Sequence, residues 1–190
     1  MPVPRIHADQ VSPKSKSFAS LLVELGVTHL VALPDNTSAP LLEAVQLEDR
    51  IRLLFATREG EVIALASGLW LGGASPAVLI QNTGLLEAGD GLRGTASRMG
   101  APILLLVTCR GYAKSRAVGV EPREVKITRD VLVRPDLDSV AHMTEPTLEA
   151  WGIPFLHLRD ADDLTPVKEG WAQANREERP VAVLVDTSFS

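Results

Sequence analysis

The sequence predicts a doubly wound α/β domain, a mainly parallel six-stranded sheet with helices on both faces. Three observations carry this. Short, almost purely apolar runs alternate with longer stretches whose apolar residues recur every three or four positions, the two periods of buried strands and one-sided helices. Polar turns rich in Gly, Pro, Asn and Asp separate them. No internal repeat of about 20–50 residues and no low-complexity tract breaks the alternation, so the units belong to one parallel sheet.

Each element has its own signal. Ser12-Pro13 sets a cap before a first-turn proline, and Phe18, Leu21, Leu22 and Leu25 then share a face until Gly26 ends the helix. Thr28 to Leu33 is short, apolar and stopped by Pro34, as a strand covered on both faces is. The pattern repeats as a helix over 39–48, a strand at 51–56, a helix at 59–71 closed by Gly72-Gly73, a strand at 77–81, a helix over 85–98 and a strand at 103–108. Residues 111–142 carry charge, Pro122 and Pro135, and only short apolar pieces. That segment is expected to be an irregular excursion over the surface. A helix at 144–151, a strand at 153–157, a helix over 163–176 with Leu164, Val167, Trp171 and Ala174 on one face, and a strand at 181–185 complete the count.

Bulk properties narrow the function. A chain of 190 residues with 45% hydrophobic content can bury one core without staples, so residues 1–190 are expected to form a single domain. Lys and Arg number 19 against 24 Asp and Glu, with the signs interspersed. Nucleic acid is therefore not the expected partner. A lone cysteine, Cys109, leaves no disulfide framework. No apolar run reaches the roughly 18 residues of a membrane span and no signal-peptide layout is visible, so a cytoplasmic protein is expected.

In open α/β sheets ligands gather beyond the carboxyl ends of the strands. Those ends are Pro34 to Ser38, Thr57 to Glu61, Gln81 to Gly84 and Thr108 to Gly111. Glycine, amide, carboxylate and hydroxyl groups converge there, although the strands before them are nearly pure hydrocarbon.

These residues carry a family likeness. Leu33-Pro34-Asp35-Asn36, Thr57-Arg58-Glu59-Gly60-Glu61 leading into Ala64 to Gly68, Gln81-Asn82-Thr83-Gly84-Leu85 and Cys109-Arg110-Gly111 occur in that order. Together they resemble the pyrimidine-binding domain of thiamine diphosphate enzymes, and in particular the alpha subunit of the sulfopyruvate and phosphonopyruvate decarboxylase family. The resemblance covers roughly residues 15–157 and is far more specific than any single motif.

The resemblance implies a decarboxylase subunit in which Glu59 is catalytic, its carboxylate holding a proton at the pyrimidine N1′ of the cofactor. A plain helix-start charge is the alternative for Glu59, worth about 0.3–1 kcal/mol. Glu61, two residues on, is expected to serve only that purpose. By the same resemblance Gln81, Asn82, Thr83 and Gly84 line the cofactor. Asn36, Arg58 and Arg110 are placed near a small anionic 2-oxo acid, for whose sulfonate or phosphonate tail a guanidinium fork is suited. His29 is expected to be a packed or edge histidine, and Cys109 a small buried hydrophobe.

Gly89-Asp90-Gly91 looks like the opening of the family's diphosphate and Mg²⁺ motif, but the asparagine that completes it about thirty residues on is missing, and it does not follow a strand. No metal ligand is therefore expected in this chain. Thiamine diphosphate would be shared, with Mg²⁺ bound mainly by a diphosphate-binding beta subunit, in a homodimer pairing within a heterotetramer or larger assembly. Leu86 and Glu87 stand where the family usually has Gly-Asn, and Cys109 where it has histidine. Two other classes stay open, a non-catalytic regulatory or assembly subunit and a flavodoxin-like ligand-binding module.

Overall fold

The computed structural model describes residue 9 and residues 11–189. Helix α1 (Pro13–Glu24) begins as its cap signal requires, with the Ser15 N–H donating to the Ser12 hydroxyl at 3.1 Å. Its stripe of Phe18, Ala19, Leu21 and Leu22 is buried. Then follow β1 (His29–Ala32), α2 (Ala39–Gln46), β2 (Arg52–Phe55), α3 (Glu59–Leu71) and β3 (Pro76–Gln81). Residues 82–99 keep helical backbone throughout, as α4 (Asn82–Glu87), α5 (Gly89–Gly91), a π-helical turn (Leu92–Ala96) and α6 (Ser97–Met99). The chain continues through β4 (Leu104–Thr108), α7 (Tyr112–Ala117), a 3₁₀ turn (Pro122–Glu124), α8 (Arg129–Leu132), α9 (Ser139–Ala150), β5 (Phe155–Leu158), α10 (Thr165–Glu177) and β6 (Val181–Val185).

All six strands pair in parallel, in the order β2-β1-β3-β4-β6-β5. Alternate residues of β1, β3, β4 and β6 feed two apolar layers. Leu30, Leu79, Leu104 and Val183 pack with Phe18 and Leu22 of α1, Leu41 of α2 and Val167 of α10. Val31, Val78, Leu105 and Leu184 pack on the other side with Ile63 of α3, Leu85 and Leu92 of the 82–99 helix and Leu148 of α9. Each fully buried side chain of this kind stabilises the fold by about 1.5–3 kcal/mol, and the doubly covered strands β4 and β6 are buried along their whole length. The expected doubly wound architecture is the one observed, with the sheet entirely parallel.

The strand order decides where a ligand can sit. From β1 the chain goes to β2 on one side and then to β3 on the other, which opens a crevice outside the carboxyl ends of β1 and β3. A second reversal comes late, because β5 takes the far edge before β6 fills the place beside β4.

Three stretches differ from the sequence reading by more than a residue or two. The helix expected over 85–98 starts at Asn82, since Gln81 leaves the strand in extended geometry and Asn82 is already helical. The segment 111–142 is not irregular throughout but holds α7, a 3₁₀ turn, α8 and the start of α9. Its hydrophobic stripe is interrupted by inward-facing polar groups. The His142 ring meets the Ser115 hydroxyl at 2.9 Å and the Pro122 carbonyl at 3.1 Å, while Glu145 accepts from Tyr112 at 3.3 Å. For the same reason α9 begins at Ser139 rather than 144.

Candidate active site at the carboxyl edge of the sheet

Helix α3 leaves β2 through Ala56, Thr57 and an extended Arg58, so its first turn sits at the carboxyl edge. Three carboxylates surround that turn. Glu61 reaches back and accepts from the Thr57 N–H at 3.0 Å and the Thr57 hydroxyl at 2.8 Å, a cap that holds its carboxyl below the usual range. Glu87, from α4, accepts from Arg58 at 2.7 Å and from the Gly60 N–H at 2.6 Å. Arg58, followed by the Gly60 N–H, keeps the Glu87 carboxyl low as well. Glu59 is different: among the described residues its carboxylate takes no hydrogen-bond donor.

A glycine makes the Glu59 position possible. A Cβ on Gly84 would lie 2.3 Å from Glu59 Cγ and 2.5 Å from its Oε1, so the Glu59 side chain occupies the space that any residue but glycine would fill. On the facing helix Glu87 lies over Gly60, but a Cβ there would meet its Oε2 only at an ordinary 3.4 Å.

The remaining candidates divide into those that face the edge and those that build it. Gln81 spans the β1–β3 crevice, donating to Asp35 Oδ1 at 3.2 Å and accepting from the exposed Thr83 hydroxyl at 2.9 Å. Asp35 Oδ1 also accepts from the N–H groups of Thr37 and Ser38 ahead of α2, while its Oδ2 is buried with no partner among the described residues. Asn82 is wholly buried, and both ends of its amide are spoken for. It donates to the Arg110 carbonyl at 2.9 Å and to Thr144 Oγ1 at 3.1 Å, and accepts from the Arg110 N–H at 3.2 Å. Asn82 is thereby a clasp joining β3, the β4 loop and α9.

Neither arginine is a free cation. Arg58 is held by Glu87, and Arg110 Nε donates to Asp138 at 2.9 Å. Asn36 does face open space. It lines a groove of about 360 Å³ with Thr37, Cys109, Asp186 and Thr187, between the ends of β1, β4 and β6. Asp186, at the end of β6, is nearly buried and anchored by Arg116. Burial pushes the Cys109 thiol well up, with Asp186 and Glu145 adding to it, so it is no thiolate nucleophile at neutral pH. His29 begins β1 at the opposite edge, its ring on the Thr28 hydroxyl. Gly89-Asp90-Gly91 is helical, and Asp90 is exposed and paired with Arg93.

Sequence reasoning missed Glu87, Asp35, Thr144 and Asp186 as partners in this edge. Glu87 had one signal, the departure from the Gly-Asn usual at that place; the others become visible only when the strands are side by side.

A family model described as thiamine pyrophosphate enzyme, N-terminal TPP binding domain, matches residues 15–129. The chain is 31% identical over 117 residues to the phosphonopyruvate decarboxylase of Streptomyces viridochromogenes, a match covering 62% of this chain and 30% of that one. It is 23% identical over 176 residues to the sulfopyruvate decarboxylase subunit alpha of Methanococcus maripaludis, covering 92% of this chain and 95% of that subunit. The benzoylformate decarboxylase of Polynucleobacter necessarius shares the fold with a TM-score of 0.63 at 21% identity, over 95% of this chain and 30% of that one. This chain thus spans about a third of the two longer decarboxylases and nearly all of the Methanococcus subunit.

Proposed function

Since the chain belongs to the thiamine pyrophosphate enzyme family through its N-terminal TPP binding domain, we propose that it is the pyrimidine-binding subunit of a heteromeric 2-oxo acid decarboxylase of the sulfopyruvate or phosphonopyruvate type. The observation that carries this is the Glu59 carboxylate, unpaired while Glu61 and Glu87 beside it are both engaged. The residues fit the cofactor on that ground: an acceptor without a protein donor, lying over a glycine, suits a ring nitrogen brought in from outside.

Thiamine diphosphate, when bound, supplies the nucleophilic carbon and the electron sink for loss of CO₂. The part of this chain is to hold a proton at the pyrimidine N1′ through Glu59 and to exclude water around it. Gln81 and Thr83 are placed to border the ring, and Gly84 gives Glu59 its room. Asn36 meets the small anionic 2-oxo acid in the groove beneath the β1 loop. Arg58 and Arg110, already paired, would reach an anionic tail only by leaving their carboxylates. The diphosphate and its Mg²⁺ are assigned to a beta subunit, because Asp90 is helical, exposed and bound to Arg93.

Calorimetric titration of thiamine diphosphate with Mg²⁺ tests this, using the chain alone and after assembly with a diphosphate-binding beta subunit. The pair is expected to bind and to decarboxylate sulfopyruvate or phosphonopyruvate, and Glu59→Gln to remove most of the turnover. Tight metal-dependent binding by the lone chain would return Gly89-Asp90-Gly91 to the site. Full turnover by Glu59→Gln would mark a regulatory subunit instead.

A further inference from the structure

Glu87 touches two groups that border Glu59. Its Oε1 takes the Arg58 guanidinium at 2.7 Å and its Oε2 the Gly60 N–H at 2.6 Å. Arg58 and Gly60 are the chain neighbours of Glu59 on either side. Without Glu87, a guanidinium on a long flexible stem and a free N–H of the first helical turn would both be left beside the nearest remaining carboxylates. Glu61 is already committed to Thr57. Glu59 is then the available acceptor.

We propose that Glu87 is a positioning residue for Glu59, acting as a decoy carboxylate that holds Arg58 and the Gly60 N–H so that Glu59 stays unpaired for its ligand. This rests on the reading of Glu59 as the carboxylate that faces the pyrimidine. The geometry supports it: Glu59 lies over Gly84 while Glu87 lies over Gly60 and takes its N–H, so the two carboxylates sit side by side and keep different partners. An Arg58–Glu59 pair would tie up the acceptor with a charge-assisted bond that the cofactor would have to displace. Arg58 is largely exposed, so it is free to swing once released.

The test has two arms, run on Glu87→Gln, Glu87→Asp and the double variant Arg58→Met with Glu87→Gln. The first needs no cofactor. In the chain alone, the side-chain Nε–H resonance of Arg58 is followed by NMR with and without Glu59→Gln. That change is expected to leave the resonance in place when Glu87 is present and to move it when Glu87 is Gln. The second arm measures thiamine diphosphate affinity in the assembled pair. Glu87→Gln is expected to bind about tenfold more weakly, as for loss of one charge-assisted hydrogen bond, with Glu87→Asp in between. The double variant, lacking the competing cation, is expected to recover to near the native affinity.

A purely structural role for Glu87, as a cap on Gly60, predicts no recovery in the double variant, and that result overturns the proposal. So does an Arg58 resonance indifferent to Glu59 in the Glu87→Gln background. If even the native pair fails to bind thiamine diphosphate, the functional reading falls while the NMR arm still decides the decoy. Should Glu87→Gln fail to fold, Glu87→Asp carries the NMR arm, and Glu87→Asp with and without Arg58→Met carries the affinity arm.

Discussion

Gly84→Ala places one methyl group in the slot that Glu59 fills, 2.3 Å from its Cγ, 2.5 Å from Oε1 and 2.7 Å from Cδ. Real carbon contacts do not come that close, so Glu59 must leave. Every nearby atom in that clash belongs to a side chain, and the backbone has no cause to move. The stability terms nearly cancel. Alanine is better than glycine in a helix by about 0.5–1 kcal/mol, and a displaced Glu59 rotamer costs about 0.5–1.5 kcal/mol. The melting temperature should therefore stay within roughly 2–4 °C of native for a chain of this size. Cofactor binding should not survive so well, because a hydrogen bond to a charged group contributes about 1.5–3 kcal/mol, or about ten- to a hundredfold in affinity. The assay pairs thermal unfolding with calorimetric titration of thiamine diphosphate and Mg²⁺ into the assembled pair, beside Glu59→Gln. Gly84→Ala and Glu59→Gln should weaken binding to a similar extent, and combining them should add little. A folded Gly84→Ala that binds within about twofold of native would refute the role given to the Glu59 slot.

Three other changes probe different parts of the edge. Asn82→Ala leaves the Arg110 N–H and carbonyl without their buried partner, so urea unfolding should show a loss of roughly 2–4 kcal/mol; a loss under about 1 kcal/mol would deny it the clasp. Glu87 has its carboxyl lowered in the folded chain, chiefly by Arg58, so the unfolded state binds more protons as pH drops. Its stabilising effect is present above the ordinary value of 4.5 and disappears as pH falls through the lowered one. Glu87→Gln should flatten that acid limb of the stability curve, and an unchanged slope would count against the ion pair. At pH 8 Cys109 should react with a disulfide reagent at least about tenfold more slowly in the folded chain than in the unfolded one, since burial opposes its thiolate. Equal rates would show an open thiol.

The strands and most helices could be read from the chain because hydrophobic period is a local property. Leu104 to Val107 and Val181 to Val185 are apolar at every position because both sheet faces are covered. Ser12 and Pro13 announce α1 with their own side chains. The place of Glu59 at the start of α3 was legible too, since the strand before it ends and the helical period begins there. The polar helices were less legible. In α9 the inward positions include His142, Thr144 and Glu145, whose burial depends on Ser115, Asn82 and Tyr112 arriving from elsewhere in the chain.

What the sequence by itself determined is the set of elements and the edge at which the polar strand ends converge, each of which depends on residues a few positions apart. Only the tertiary structure decided that β6 lies inside β5, that Asn82 is buried between β3, the β4 loop and α9, and that Arg58 and Arg110 are already paired. Those outcomes rest on contacts such as Asn82 with Arg110, 28 positions apart, and Arg58 with Glu87, 29 apart. A polar side chain takes its role from whichever partner the fold brings within about 3 Å, and spacing along the chain does not encode that partner.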